Sequence, residues 1–208
     1  MTIEGVIFDY GGVLATSPWH AFADFERRHG LEPGGLVPFF AVMHSSGVPA
    51  WHAIECGQMP WKDFADQVVA NATAAGVDLG DVHDIEGLMP LTALWPMVHR
   101  VRRLRADGRH RLGILSNNVR EFATYWRSTV PLDLFDVVVD SCEEGIRKPD
   151  HEIYRRTASR LGVAPEACVF LDDSADNVRA AVELGMTGIV VDPLAIDGAI
   201  ASLDAALA

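Results

Sequence analysis

Gly5-Val6-Ile7-Phe8-Asp9-Tyr10-Gly11-Gly12-Val13-Leu14 is the stretch from which the rest of this chain is read. Its apolar run is continuous rather than alternating, the pattern of a strand buried on both faces of a parallel sheet. The run delivers one carboxylate, Asp9, into a glycine-rich turn, a good place for chemistry. A second carboxylate two residues further on would suit acid–base work, but position 11 is glycine.

Four more short apolar runs fit the same layer: Leu112–Leu115, Val137–Val139, Cys168–Leu171 and Gly188–Val191. Helical segments separate them. Met97–Ala106 is basic and amphipathic, His151–Leu161 follows Lys148-Pro149-Asp150, and Asp176–Leu184 ends at Gly185. Strands alternating with helices predict an α/β, doubly wound, Rossmann-like parallel sheet. The Ala-rich end, Ile200–Ala208, reads as a last amphipathic helix or a frayed tail.

The connection between the first and second strands is too long for a simple crossover. It carries Trp19, Phe22, Phe25, Phe39, Phe40, Trp51, Trp61 and Phe64 at helical spacings, cut by turn signals at Glu32–Gly35 and Ser45–Pro49. We read residues 16–88 as a helical cap with its own small core, inserted into an α/β core made of residues 1–15 and 89–208. Leaving from the end of strand one, such a cap would cover the crevice where α/β sheets place their ligands. An ordinary pair of sheet-covering helices is the alternative.

Composition narrows the partners. The 208 residues are 49% hydrophobic and 22% charged, enough for one domain with a sizeable insertion. A net charge of −12 argues against nucleic acid or an anionic membrane as the main partner, since both need a basic face. No stretch approaches the ~20 apolar residues of a membrane span, and no signal peptide fits the amino terminus. Cys56, Cys142 and Cys168 are odd in number and form no metal-ligand pattern, as expected of reduced thiols in a cytoplasmic protein. Nothing in the sequence fixes the oligomeric state.

The strand ends hold the chemistry. The first strand ends at Asp9, the second at Ser116-Asn117-Asn118, and another at Asp172-Asp173-Ser174-Ala175-Asp176-Asn177. In a parallel sheet these ends share one edge, and Lys148 enters from the loop Glu143–Pro149. Taken singly, these could be turn residues, helix caps and a solvated lysine. Together they suit a small phosphorylated substrate. Asp9 would attack phosphorus and carry an aspartyl-phosphate. Asp9 with Asp172 and Asp173 offers hard oxygens to Mg²⁺. Ser116 and the amides after it can hold phosphate oxygens, and Lys148 can stabilise the transferring group.

In order and spacing these segments resemble the haloacid-dehalogenase-like hydrolase superfamily, of the helical C1-cap, phosphatase-like type. The resemblance runs from Phe8 to Asn177, through FDYGGVL with Asp9, ILSNN with Ser116, GIRKPD with Lys148 and FLDDSADN with Asp172, Asp173 and Asn177. Glu55-Cys56-Gly57 before Trp61-Lys62-Asp63-Phe64 looks like the E-x-G…F segment of such caps. The resemblance implies catalytic roles for Asp9 and Lys148, and phosphate binding by Ser116, Asn117 and Lys148. It implies Mg²⁺ ligands in Asp9, Asp173 and the main-chain carbonyl of Gly11, with Asp172 behind these ligands or acting through water. Asn177 would orient one of the acidic pair.

Gly11 departs from the pattern. Most phosphatases of this superfamily have an aspartate there, which protonates the leaving oxygen and later deprotonates the attacking water. Three readings follow. The first is a phosphatase of good leaving groups, such as sugar 1-phosphates, acyl phosphates or aryl phosphates, with water, substrate or a cap histidine (His20, His44 or His52) assisting. The second is a 2-haloacid dehalogenase, which lacks that aspartate too, although such enzymes have uncharged residues in place of Asp172-Asp173. The third is a protein that binds phosphate and metal but no longer turns over.

Overall fold

A computed structural model describes residues 2–41, 45–79, 82–88 and 90–208, except for the side chains of residues 18, 19, 85 and 88. Five strands, β1 (Gly5–Phe8), β2 (Arg111–Ser116), β3 (Val137–Asp140), β4 (Cys168–Asp172) and β5 (Thr187–Val190), form one sheet in the order β3-β2-β1-β4-β5. Every pairing is parallel, with Phe8 opposite both Ile114 and Leu171. Chain order reverses between β1 and β4, so their carboxyl ends flank the crevice that this topology leaves for a ligand.

Among the described residues the helices before β2 are α1 (Pro18–Arg28), α2 (Val37–Phe40), α3 (Ala50–Glu55), α4 (Trp61–Ala74), α5 (Ile85–Leu88) and α6 (Trp95–Asp107). After β2 come α7 (Ala123–Thr129), α8 (Ser141–Glu144), α9 (His151–Leu161), α10 (Ala175–Glu183) and α11 (Ile196–Ala206). The strands are buried on both faces because helices cover both. Val6, Phe8, Ile114 and Leu171 pack with Val98, Val101 and Leu203 of α6 and α11. Ile7, Leu115 and Phe170 pack with Ile153, Tyr154 and Ala181 of α9 and α10. This is the two-residue alternation of a strand. Each fully buried side chain of this size contributes roughly 1.5–3 kcal/mol.

One expectation needs correction, and the bounds of others shift. The insertion does not build a separate core: Phe22, Ile54, Trp61 and Phe64 belong to the same buried cluster as Val6 and Phe8, through Tyr10, Val13, Leu14 and Trp126. Of the two readings of the carboxyl-terminal segment, the helix is the one present. It starts earlier, at Ile196, because Ala199 and Leu203 are buried, Leu203 wholly, in the cluster that α6 also enters. The basic helix likewise begins at Trp95, since Pro96 is tolerated in a first turn, and part of the expected 143–149 loop is helical, in α8. No described helix is long and apolar enough to cross a membrane. All three cysteines are free, with Cys142 and Cys168 buried.

The caps of α9 and α10 fix two ends of the site. Asp150 accepts the Glu152 amide at 2.8 Å, closing the segment that bears Lys148. Ser174 caps α10 through the Asn177 amide, immediately after the acidic pair.

Candidate active site

Asp9 leaves β1 with its own amide donating to the Leu171 carbonyl at 2.8 Å, so its backbone continues the sheet toward β4. The turn then folds back, with the Leu14 and Ala15 amides both donating to the Tyr10 carbonyl at 2.9 Å. Within it, Gly12 has φ +79°, and a Cβ there would collide with the Asp173 carboxylate. Gly12 thus gives β4's acidic end room to lie against the β1 turn. Gly11 lacks that constraint: its φ is not positive.

Lys148 is the centre of the charge arrangement. Its side chain is buried, and Nζ lies 2.7 Å from Asp9 Oδ1, 2.7 Å from Asp172 Oδ2 and 2.9 Å from the Leu115 carbonyl. An ammonium has three protons, and three acceptors are in place. Burial pulls its pKa down, but Asp172 and Asp9 outweigh that and hold it above the ordinary lysine value.

The three carboxylates differ in what they have left to offer. Asp172 is wholly buried. Its Oδ1 accepts from the Ser174 amide at 2.8 Å and from Asn177 Nδ2 at 3.0 Å, and its Oδ2 accepts from Lys148 and from Asn177 Nδ2 at 3.1 Å. Asp9 accepts from the Tyr10 amide at 2.6 Å on the oxygen that also meets Lys148. Asp173 accepts from the Ser17 hydroxyl at 3.2 Å, at the start of the insertion. Burial pushes the Asp9 carboxyl well above the usual range; Lys148 counteracts this, and Asp172 and Asp173 add to it. Burial and Asp172 raise Asp173 as well.

One oxygen from each of Asp9, Asp172 and Asp173 lies within 4.8 Å of the others. Three carboxylates share one ammonium, so a hard divalent cation fits the donor set and its charge. Asp9 and Asp173 line the adjoining cavity, whereas Asp172 does not.

That cavity measures about 340 Å³. Gly11, Ser116, Asn117, Lys148 and Asn177 also line it, so the edge gathers every expected residue except Asp172, which stands behind. The Asn117 side chain is committed: its Oδ1 accepts the Lys148 amide at 2.8 Å and its Nδ2 donates to the Lys148 carbonyl at 3.0 Å. Of the two described histidine candidates, His52 lines the cavity. Burial and neighbouring Arg147 lower its pKa. His20 is exposed and away from the cavity, and His44 lies outside the described residues.

Sequence reasoning missed how the insertion is tied to this edge. Glu55 of α3 is buried, accepts Arg147 Nε at 2.6 Å and Trp51 Nε1 at 2.9 Å, and its carbonyl takes the Ser141 hydroxyl at 2.6 Å. Ser141 in turn accepts the Asn118 amide at 3.0 Å. Gly57, at φ +64°, lets this segment approach the Cys142 carbonyl where any Cβ would clash. Arg147 stands beside Lys148 in the sequence, the one signal that could have found it. Leu91 and Val119, which also line the cavity, carry no signal of their own.

A parallel sheet with a carboxylate on its first strand, an acidic pair on β4 and a buried lysine between them defines a hydrolase class. The match to the haloacid dehalogenase-like hydrolase model spans residues 3–185, and the chain belongs to that family. It is 37% identical over 210 residues to phosphatase MT3486 of Mycobacterium tuberculosis, covering 92% of this chain and 88% of that protein. It is 31% identical over 195 residues to mouse acyl-CoA dehydrogenase family member 10, covering 91% of this chain but only 18% of that protein's length. In structure it is similar to a family enzyme, BT-2542 of Bacteroides thetaiotaomicron, solved with magnesium and inorganic phosphate. The TM-score is 0.68 at 20% identity, covering 90% of this chain and 93% of that one.

Proposed function

We propose that this chain is a Mg²⁺-dependent phosphohydrolase that cleaves a small phosphate monoester through an aspartyl-phosphate on Asp9. The observation that carries the reading is the placement of one buried ammonium, Lys148, 2.7 Å from both Asp9 and Asp172, with Asp173 beside them. The phosphatase named among the relatives supports the same chemistry.

Asp9 is held through Oδ1 by Lys148 and the Tyr10 amide, which leaves Oδ2 for attack on phosphorus. The Asp9 oxygen–phosphorus bond forms as the bond from phosphorus to the leaving oxygen breaks. Water then attacks phosphorus, the bond to Asp9 breaks, and phosphate leaves with the carboxylate restored. Ser116 takes a phosphate oxygen, and Lys148 balances the charge that develops. Asn117 acts indirectly, holding the backbone of Lys148 through its two hydrogen bonds. Asp9, Asp173 and the Gly11 carbonyl would hold Mg²⁺, with Asp172 and Asn177 behind them. When bound, the cation neutralises charge between nucleophile and phosphate. Residues 16–88 serve as the cap, and 1–15 with 89–208 as the catalytic core.

Gly11 favours a second reading, a scaffold that binds Mg²⁺ and phosphate without turnover. Dehalogenation is disfavoured by the three grouped carboxylates, which it has no use for. One experiment separates the three: p-nitrophenyl phosphate hydrolysis and halide release from 2-haloacids, each with Mg²⁺ or EDTA, for the wild type and Asp9→Asn. The proposal expects metal-dependent phosphate release that Asp9→Asn abolishes. EDTA-insensitive halide release, or Mg²⁺ and phosphate binding without turnover, would contradict it.

A further inference from the structure

We infer that the group released with phosphate is a flat, uncharged aromatic hydroxyl, so that the substrate is an aryl phosphate of one or two rings; this rests on the phosphohydrolase reading above. Two independent observations meet here, one on the reacting edge and one on the cavity wall.

The first is Gly11. With no side-chain acid at that position, and with burial and Arg147 lowering the pKa of His52 on the cavity wall so that it is a poor proton donor, the leaving oxygen departs as an anion and takes its proton from solvent. A phenol-type oxygen ionises near pKa 10, about six units below water, whereas a simple alcohol gains little over water. An aryl leaving group therefore needs the missing acid far less than an alkyl one does, and among the groups that can leave without it the cavity wall makes the choice.

The second is the wall. Phe22, Trp51, Leu91, Val119 and Phe122 line the cavity that holds Asp9. Trp51 is fixed in place: its Nε1 donates to Glu55 at 2.9 Å, and its ring meets Phe22 edge-on at 5.9 Å. A held indole offers a flat surface at little entropic cost. Several polar side chains facing the same space are already matched to one another. Asn117 binds the Lys148 backbone, Asn177 binds Asp172, and Arg147 and Glu55 neutralise each other in an ion pair, which leaves the charged groups of the cavity at its reacting edge, with Asp9, Asp173 and Lys148. A polyol would bury hydroxyls with few partners to meet them. Near 340 Å³, at about 30 Å³ per water, the space is large enough for a phosphoryl group with one or two rings.

The test compares kcat/KM, with Mg²⁺, for 1-naphthyl phosphate, phenyl phosphate, glucose 1-phosphate and acetyl phosphate. Acetyl phosphate reports on phosphoryl transfer alone, because its small leaving group makes no demand on the wall. We expect naphthyl phosphate to exceed glucose 1-phosphate by at least roughly tenfold, and Trp51→Ala to lose several times more on naphthyl than on acetyl phosphate. Leu91→Ala, outside the aromatic cluster, should shift the ratio the same way and guards against misfolding of the tryptophan variant. If glucose 1-phosphate matches naphthyl phosphate, or folded variants lose both activities equally, the inference falls while hydrolysis of acetyl phosphate keeps the phosphohydrolase reading. If none of the four is hydrolysed, both fall.

Discussion

Lys148 Nζ and Asp9 Oδ1 lie 2.7 Å apart, although one comes from the segment after α8 and the other from the first strand. Both side chains are almost fully out of solvent, at 1% and 10% exposure. Such a pair is poor evidence for stability by itself, because removing two charges from water offsets most of their attraction. Breaking it is another matter. Lys148→Met leaves Asp9 and Asp172 buried without their shared partner and should cost about 3–5 kcal/mol in urea unfolding at neutral pH. The sign with pH is fixed: a carboxyl whose folded pKa is raised takes up a proton on folding, so the variant's deficit should shrink as pH falls.

Gly11 and Gly12 should respond in opposite ways. Gly12→Ala places a Cβ against Asp173 on a left-handed backbone, so activity and stability should both fall. Gly11 is not at positive φ, so Gly11→Asp is compatible with its backbone. Restoring acid–base assistance is worth on the order of 10²- to 10⁴-fold. The gain should appear with alkyl phosphates and be small with p-nitrophenyl phosphate, which steady-state rates on the two substrates will show.

Metal binding should be linked to protons. Asp9 and Asp173 both carry raised pKa values through burial and neighbouring carboxylates. A cation needs them ionised, so Mg²⁺ affinity should weaken as pH falls through those values, and binding should release protons. Calorimetry in two buffers of different ionisation enthalpy measures that release. An affinity independent of pH would count against these two ligands.

Glu55 should act beyond its own helix. Glu55→Gln keeps the shape but removes the charge that meets Arg147 at 2.6 Å, a hydrogen bond to a charged group worth roughly 1.5–3 kcal/mol. We expect a loss of that order in stability and a higher KM for phosphate monoesters, because the same side chain holds Trp51.

The strands were legible because β1, β2 and β4 are buried on both faces and so read as unbroken apolar runs, each ending in a polar residue at one edge. Asp9, Ser116 and Asp173 could be gathered from that rule, and Lys148 from the loop that follows the Val137–Val139 run. The hidden parts depend on contacts far apart in the chain. The resemblance set Asp172 apart from Asp173, but what holds it behind the cavity, Asn177 of α10 and Lys148 on its oxygens, shows only in the fold. That the Asn117 side chain is tied to the Lys148 backbone by two bonds has no signal in the sequence. The insertion's core seemed separate because aromatic spacing reports helix faces, not what covers them, and Tyr10 and Trp126 join it to the sheet.

The central claim is that Asp9 carries the phosphoryl group. Acid quench during turnover of an aryl phosphate, followed by borohydride reduction and peptide mass spectrometry, tests it directly, because an acyl phosphate is reduced to the alcohol while a free carboxylate is not. The account predicts homoserine at position 9, dependent on Mg²⁺ and substrate. Phosphate release with Asp9 unmodified, or with the label on another residue, would contradict it.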